Sequence, residues 1–313
     1  MEGSILYHVT RIDDLLAATP AGYAGHAKGF RRQDLIGRET GSHQMSLSNA
    51  TLDPGGWIAP AVHSYEKSLW VSAGELRLSM LGQTVTLQAN DCAVIPIGVT
   101  HRLSAGGDGA RWLEMSAPVR LLLTDHRKDT FFLDPGTPDA ADPAQVDLRD
   151  PRNRNYFRFD ESSMDLGRLS KGSDPAAPEV SASMATALLV YSGISIRMLA
   201  DQRISALMHT MFVVDYQPTA TAHPHDHPFE EAYVFTRGRT DAVINGEELT
   251  MRPGDVLWAA SGCDHAFYNR TDERTQWIET QAPQPPAQHS YRFNRDWSYL
   301  GDQLSVSAGK EDL

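Results

Sequence analysis

The apolar positions of this chain fall in short runs rich in β-branched and aromatic residues, cut at hairpin-like intervals by Pro, Gly, Asn and Asp. HTMFVVDYQPTA (209–220), EEAYVFTRGRTDAVING (230–246), EELTMRPGDVLWAAS (247–261) and TQWIETQAP (275–283) form one series. GELRLSMLG (74–82), QTVTLQANDCAVIPIG (83–98) and ARWLEMSAP (110–118) form an earlier one in the same order. Tight hairpins need a positive φ, and Leu81-Gly82 and Asn245-Gly246 stand where that is required. The pattern predicts an all-β protein built as sandwiches or jelly-roll barrels.

The two series are copies of one module. His63, Gly74, Asp91, Gly98 and His101 recur as His227, Gly238, Asp255, Gly262 and His265, at a constant offset of 164 residues and without a gap. RWLEMSAP (111–118) is echoed one residue out of step by QWIETQAP (276–283). The expected organisation is a first β-domain over 1–125, a linker over 126–190, a second β-domain over 191–290 and a tail over 291–313. Asp, Pro and Arg crowd the linker, where one short ordered element is expected around 156–159. Trp297 and Tyr299 are expected to dock the start of the tail, whose last eight or so residues read as disordered.

Composition narrows the function. A length of 313 residues suits two domains, and 41% hydrophobic residues suffice for their cores. Lys and Arg number 28 against 40 Asp and Glu, a net charge of −12, so no duplex-binding surface is expected. The two cysteines, Cys92 and Cys263, make no disulfide framework and fit a reducing compartment. The N-terminus lacks the pattern of a signal peptide, and no apolar run approaches the length of a membrane span. A cytoplasmic protein is expected, acting on a small molecule, with neither nucleic acid nor membrane as partner, as a homodimer or higher homo-oligomer.

The strongest chemical signal is HPHDHPFEEAYVFTRG (223–238), with His265 further on. His225 and His227 lie two apart, so on a strand both imidazoles project to one face. Glu231 follows a short turn and shares parity with Tyr233 and Phe235, while Phe267 and Asn269 share that of His265. Three imidazoles and a carboxylate suit Mn, Fe, Ni or Zn, and the absence of thiolates argues against a closed structural zinc site. Tyr233, Phe235, Trp258 and Phe267 are candidate walls of a substrate pocket. His223 reads as a loop or supporting residue, Cys263 as a buried structural thiol. Asp226, Glu230 and Asp264 are expected to face away from the ligands into solvent.

These residues resemble the cupins. The family's first motif, G-x5-H-x-H-x3,4-E-x6-G, is matched by His225, His227, Glu231 and Gly238, with Thr219 and Ala220 where the leading glycine belongs. Its second, G-x5-P-x-G-x2-H-x3-N, is matched by Gly262, His265 and Asn269, with Ala260 in place of proline. The resemblance spans about 100 residues in each half and implies two tandem cupin barrels, double-stranded β-helices of jelly-roll type. It further implies one divalent transition metal held by His225, His227, Glu231 and His265. Reaction type is not implied, since cupins run many chemistries.

Applying the 164-residue offset puts Ala61 at the first histidine position of the earlier copy and Lys67 at the glutamate position. His63 and His101 remain, and using Glu66 would need a bulge. Two ligands beside an ammonium predict no metal there and a scaffold role, with a small-molecule pocket of His63, Lys67 and His101 as the alternative. For the later copy the favoured reading is a metal-dependent oxidoreductase, a dioxygenase. A Mn-dependent hydrolase resembling the ureidoglycine aminohydrolases is a second reading, although their ligand set departs from His225, His227, Glu231 and His265. A non-catalytic binder is the third.

Overall fold

In a computed structural model the described residues are 6–121, 128–133, 146–148, 153–164, 192–285 and 292–293. They form two antiparallel sheets, each curled into a barrel, joined by turns and short 3-10 helices. The first sheet runs in the order Ala27–Ile36, Ser46–His63, His101–Ala117, Glu66–Met80, Asp91–Ile95, Tyr156–Arg158. In the second, Tyr7–Arg11 leads, followed by Asp255–Ala259, Glu230–Arg237, Thr275–Ala282, Thr210–Asp226, His265–Tyr268, Thr240–Ile244 and Glu247–Met251. No helix of the described residues is long and apolar enough to cross a membrane.

Each of the five repeated residues holds the same post in both barrels. Gly74 and Gly238 have positive φ, and a Cβ on either would fall 2.1 Å from the Gly109 carbonyl oxygen or 2.5 Å from that of Arg274. Only glycine fits so close an approach. Asp91 accepts from Gln88 N and binds Arg158, as Asp255 accepts from Arg252 N and binds Arg11. The Gly98 amide donates to His63 O and the Gly262 amide to His227 O. His101 Nδ1 lies 3.0 Å from Val99 O, and His265 Nδ1 lies 3.0 Å from Cys263 O. Both hairpins carry positive φ at Leu81-Gly82 and Asn245-Gly246.

The pairing departs from the expected boundaries. Tyr7–Arg11 adds to Asp255–Ala259 of the later copy, far from its neighbours in sequence. The equivalent edge of the earlier barrel is filled by Tyr156–Arg158, on Asp91–Ile95. Thr130–Phe132 lies on Ser46–His63 as Arg292–Phe293 lies on Thr210–Asp226. Residues expected as linker thus contribute two strands to the first barrel. Trp297, Tyr299 and the last eight residues fall outside the described residues.

Several strands are buried on both faces. Tyr233, Phe235, Leu257 and Ala259 pack inside the second barrel. Their neighbours Ala232, Val234, Val256 and Trp258 pack against Leu35, Leu47, Val94 and Met115 of the first, in one core shared by the two barrels. Full burial of each large apolar side chain contributes about 1.5–3 kcal/mol.

Two carboxylates clasp this shared core. Glu66 of the first barrel accepts from Leu207 N at 2.8 Å and Met208 N at 2.9 Å, and lies 2.9 Å from His209 Nδ1. Its counterpart Glu230 accepts from His43 N at 2.9 Å, Gln44 N at 3.2 Å, Ser42 Oγ at 2.5 Å and Trp258 Nε1 at 3.2 Å. Glu230 is therefore buried and fully engaged, not solvated as expected from its parity. The outer face of its strand meets the other barrel. Ser68 Oγ lies 2.5 Å from His209 Nε2, so Ser68, His209 and Glu66 form a serine–histidine–carboxylate line sealed within the protein.

Burial works against ionisation of Glu66, but the His209 hydrogen bond and charge, with the two backbone amides, outweigh it and hold its pKa below the usual value. A depressed folded-state pKa gives stability that is present above the unfolded value and lost as pH falls through the folded one. Glu66→Gln should therefore cost about 2 kcal/mol near neutrality. Its deficit against wild type should shrink as pH drops from about 4.5 toward 3, measured by urea denaturation at each pH. An equal deficit at both ends would contradict this account.

Candidate metal centre

His225 and His227 close the strand Thr210–Asp226 and the turn after it, and His265 opens His265–Tyr268 directly across from His225. A ring nitrogen from each of the three lies within 4.8 Å of the others, and all three side chains are buried. Among the described residues this is the one such group of His, Cys, Asp or Glu donors. His225 Nδ1 lies 2.7 Å from His223 O, His227 Nδ1 2.9 Å from Phe229 O and His265 Nδ1 3.0 Å from Cys263 O. Carbonyls only accept, so each Nδ1 carries a proton and each Nε2 faces inward, where it can ligate an ion once it holds no proton. His227 also stacks on Phe229 at 4.1 Å.

Glu231 enters from the strand Glu230–Arg237, with Oε2 2.7 Å from His227 Nε2 and 3.4 Å from His265 Nε2. The Tyr233 hydroxyl donates to the same oxygen, and Gln281 Nε2 donates to Oε1 at 2.6 Å. Burial opposes the charge on Glu231, yet His227 and His265 hold its pKa well below the ordinary range. Burial, then His265 and His227, push that of His225 far down, so its ring is neutral. For His265 burial is outweighed by the bond and charge of Glu231, and its pKa rises. Inward nitrogen lone pairs beside a buried, oriented carboxylate match the donor set of a divalent transition ion.

The pocket above the histidines is lined by Tyr233 and Phe267, as expected from parity, and by Phe212 and Trp277. Phe235 lies a layer deeper, its ring 6.4 Å from that of Phe267 and 5.5 Å from that of Trp277. Trp258 is not in the pocket. It alternates with the inward Leu257 and Ala259, so it faces the shared core and donates to Glu230. Cys263 is buried, and burial followed by Asp264 raises its thiol to about 11. His223 contributes its carbonyl, while Asp226 and Asp264 are half-buried rather than solvated.

Two polar residues on Thr275–Ala282 escaped the sequence reading, Glu279 and Gln281. Glu279 lines the pocket and accepts from Trp277 Nε1 at 2.9 Å. Burial and the Glu231 charge raise its pKa well above the ordinary value, which favours its protonated form. Their signal was alternation: Trp277, Glu279 and Gln281 share one face of a strand whose other positions are core.

In the first barrel the equivalent interior is wired differently. Lys67 Nζ lies 3.1 Å from Glu114, the counterpart of Glu279, and Arg120 and Arg32 approach it at 3.0 Å and 3.7 Å. Burial opposes the charge on Glu114, but Lys67, Arg120 and Arg32 hold its pKa down to about 2. Burial, then Lys67, lower His101 to about 4, so its ring is neutral. Lys67, standing where Glu231 stands in the second barrel, joins Arg120 and Arg32 in bringing positive charge to Glu114. Metal analysis should return one ion per chain. Lys67→Met should leave that content unchanged while lowering stability in denaturant by about 3 kcal/mol.

Comparison with known proteins fits this geometry. The model of the cupin domain matches residues 49–116 and again 212–280. The comparison with curated protein sequences returns no match. A deletion variant of Bacillus subtilis oxalate decarboxylase is similar in structure at 15% identity, with a TM-score of 0.60 over 97% of this chain and 85% of that one. A formate complex of Lactobacillus farciminis oxalate decarboxylase has 16% identity and a TM-score of 0.60, over 99% of this chain and 96% of that one. With a cupin-domain match in each half and an all-β fold shared along nearly its whole length with oxalate decarboxylases, the chain is similar to two cupin domains in tandem.

Proposed function

We propose that the second barrel is the active site of a metal-dependent enzyme acting on a small organic molecule, and that its reaction is that of a dioxygenase. One observation carries the reading: three buried imidazoles, each with Nδ1 tied to a carbonyl, converge with Glu231 at the foot of a pocket. A bound ion would supply Lewis acidity and, if redox-active, a route for electrons. The chain supplies the rest. His225, His227, His265 and Glu231 would hold the ion, and Tyr233 and Gln281 orient the carboxylate. The apolar walls exclude water from the reacting centre. Glu279 lines the same pocket, held by the bond from Trp277 Nε1, and its raised pKa favours a proton on its carboxyl.

A second reading has its own support. The likeness to oxalate decarboxylases covers nearly the whole chain, and a protonated acid beside the ligands suits a lyase that must protonate its product. Oxygen uptake with a panel of enolic and phenolic compounds supports the dioxygenase; full turnover under strict anaerobiosis rejects it.

The His225→Ala/His227→Ala double variant should lose its metal, measured by elemental analysis, and unchanged content would reject the ligand assignment. Glu231→Gln keeps the shape and removes the only anionic donor. Activity per bound ion should fall about 10- to 100-fold. A value equal to wild type would remove Glu231 from the site.

A further inference from the structure

The first barrel keeps two of the three imidazoles, with uncommitted hydrogen-bonding groups around them. His63 and His101 are buried, their ring centroids 4.6 Å apart, against 4.9 Å for His227 and His265. His101 Nδ1 faces a carbonyl, Val99 O, so it carries the proton. Thr130 Oγ1 donates to Asp129 Oδ1 and therefore accepts from His63 Nδ1 at 3.1 Å. Burial, then the Lys67 charge, lowers the pKa of both rings, so both are neutral. Each Nε2 is thus a bare acceptor, and neither bonds any of the described residues.

Lys67 belongs to the same cluster, its Nζ 5.8 Å from the centre of the Tyr65 ring that stacks on His63. It is buried, and its polar partner among the described residues is Glu114 at 3.1 Å. An ammonium has three N–H donors, so two are uncommitted. Buried polar groups are seldom left so. Ala61 pairs with His101 as His225 pairs with His265, and Phe132 lies on Ala61 as Phe293 lies on His225. The imidazole of His225 therefore has no replacement at that register position.

Two bare acceptors and two uncommitted donors are the complement of two hydroxyl groups, each of which donates once and also accepts. A carboxylate donates nothing, and the two imidazole lone pairs would repel it. Nor is a cation left over for one: Lys67, Arg32 and Arg120 meet Glu114 and Asp34, and Asp129 stands behind Thr130. We propose that the first barrel is a binding site for a small uncharged vicinal diol, each hydroxyl accepting from Lys67 and donating to one imidazole, His63 or His101. The site does not depend on the metal of the second barrel.

The test uses the full chain with 1,2-ethanediol as probe and 1,2-dimethoxyethane, which has no donor, as control. Saturation-transfer NMR reads binding, and long-range proton–nitrogen spectra follow the ring nitrogens of His63 and His101. The diol should give a dose-dependent signal and shift both Nε2 resonances, and the ether should do neither. Lys67→Met should weaken the diol at least about tenfold, and His63→Leu, which keeps the Lys67–Glu114 pair, about fivefold. The His225→Ala/His227→Ala variant should bind it as wild type does. If Lys67→Met fails to fold, His63→Leu decides. Unshifted ring nitrogens at saturating diol would mean water alone in the site and overturn the proposal. Equal responses to diol and ether, wild-type affinity in His63→Leu, or loss of binding in the His225→Ala/His227→Ala variant would overturn it as well.

Discussion

A strand buried on both faces has no solvent side on which to leave a charge, and the outer faces of the two barrels are buried against each other. Everything else in the molecule is arranged around that contact. Glu66 and Glu230 sit on it, and each becomes tolerable only because the opposite barrel presents backbone amides and one further partner, His209 or Ser42. Buried carboxylates are costly when unmatched and specific when fully matched, so the clasp fixes how the barrels register as well as holding them. The swap of Tyr7–Arg11 onto the later sheet ties the same contact through the backbone.

Within that frame the two interiors diverged by charge rather than by shape. Glu114 and Glu279 occupy matching places on matching strands, each beneath a tryptophan nitrogen from two residues earlier. Surrounded by Lys67, Arg120 and Arg32, Glu114 stays ionised far below the usual range. Beside Glu231, burial and that charge push the Glu279 pKa well up. The neighbours decide the state of the carboxyl, and the exchange of Glu231 for Lys67 at one position sets which neighbours it has.

Much of this was legible in the sequence because it is local. The spacing of His225, His227 and Glu231 sets their parity on adjacent strands, and His265 repeats the position of His101. The turns at Leu81-Gly82 and Asn245-Gly246 and the lysine at position 67 were equally plain. What escaped depends on partners distant along the chain. Parity placed Glu230 correctly away from the ligands, but nothing near it in sequence said that the far side was another barrel. Trp258 reads in the sequence as a candidate pocket wall, but it alternates with the inward Leu257 and Ala259 and so faces the shared core. The role of Tyr7–Arg11 follows from a pairing some 250 residues away, and no local pattern encodes that.

Glu230 and Glu231 are adjacent on one strand and therefore point in opposite directions, one toward the neighbouring barrel and one toward the histidines. A duplicated module that loses its ligands is ordinarily free to decay or be deleted. Here deletion would remove Ser42, His43 and Gln44 from Glu230 and open to water the apolar outer face of the strand that carries Glu231. The earlier copy thus serves as the mounting of the later one, whose candidate site stands on a strand held from both sides.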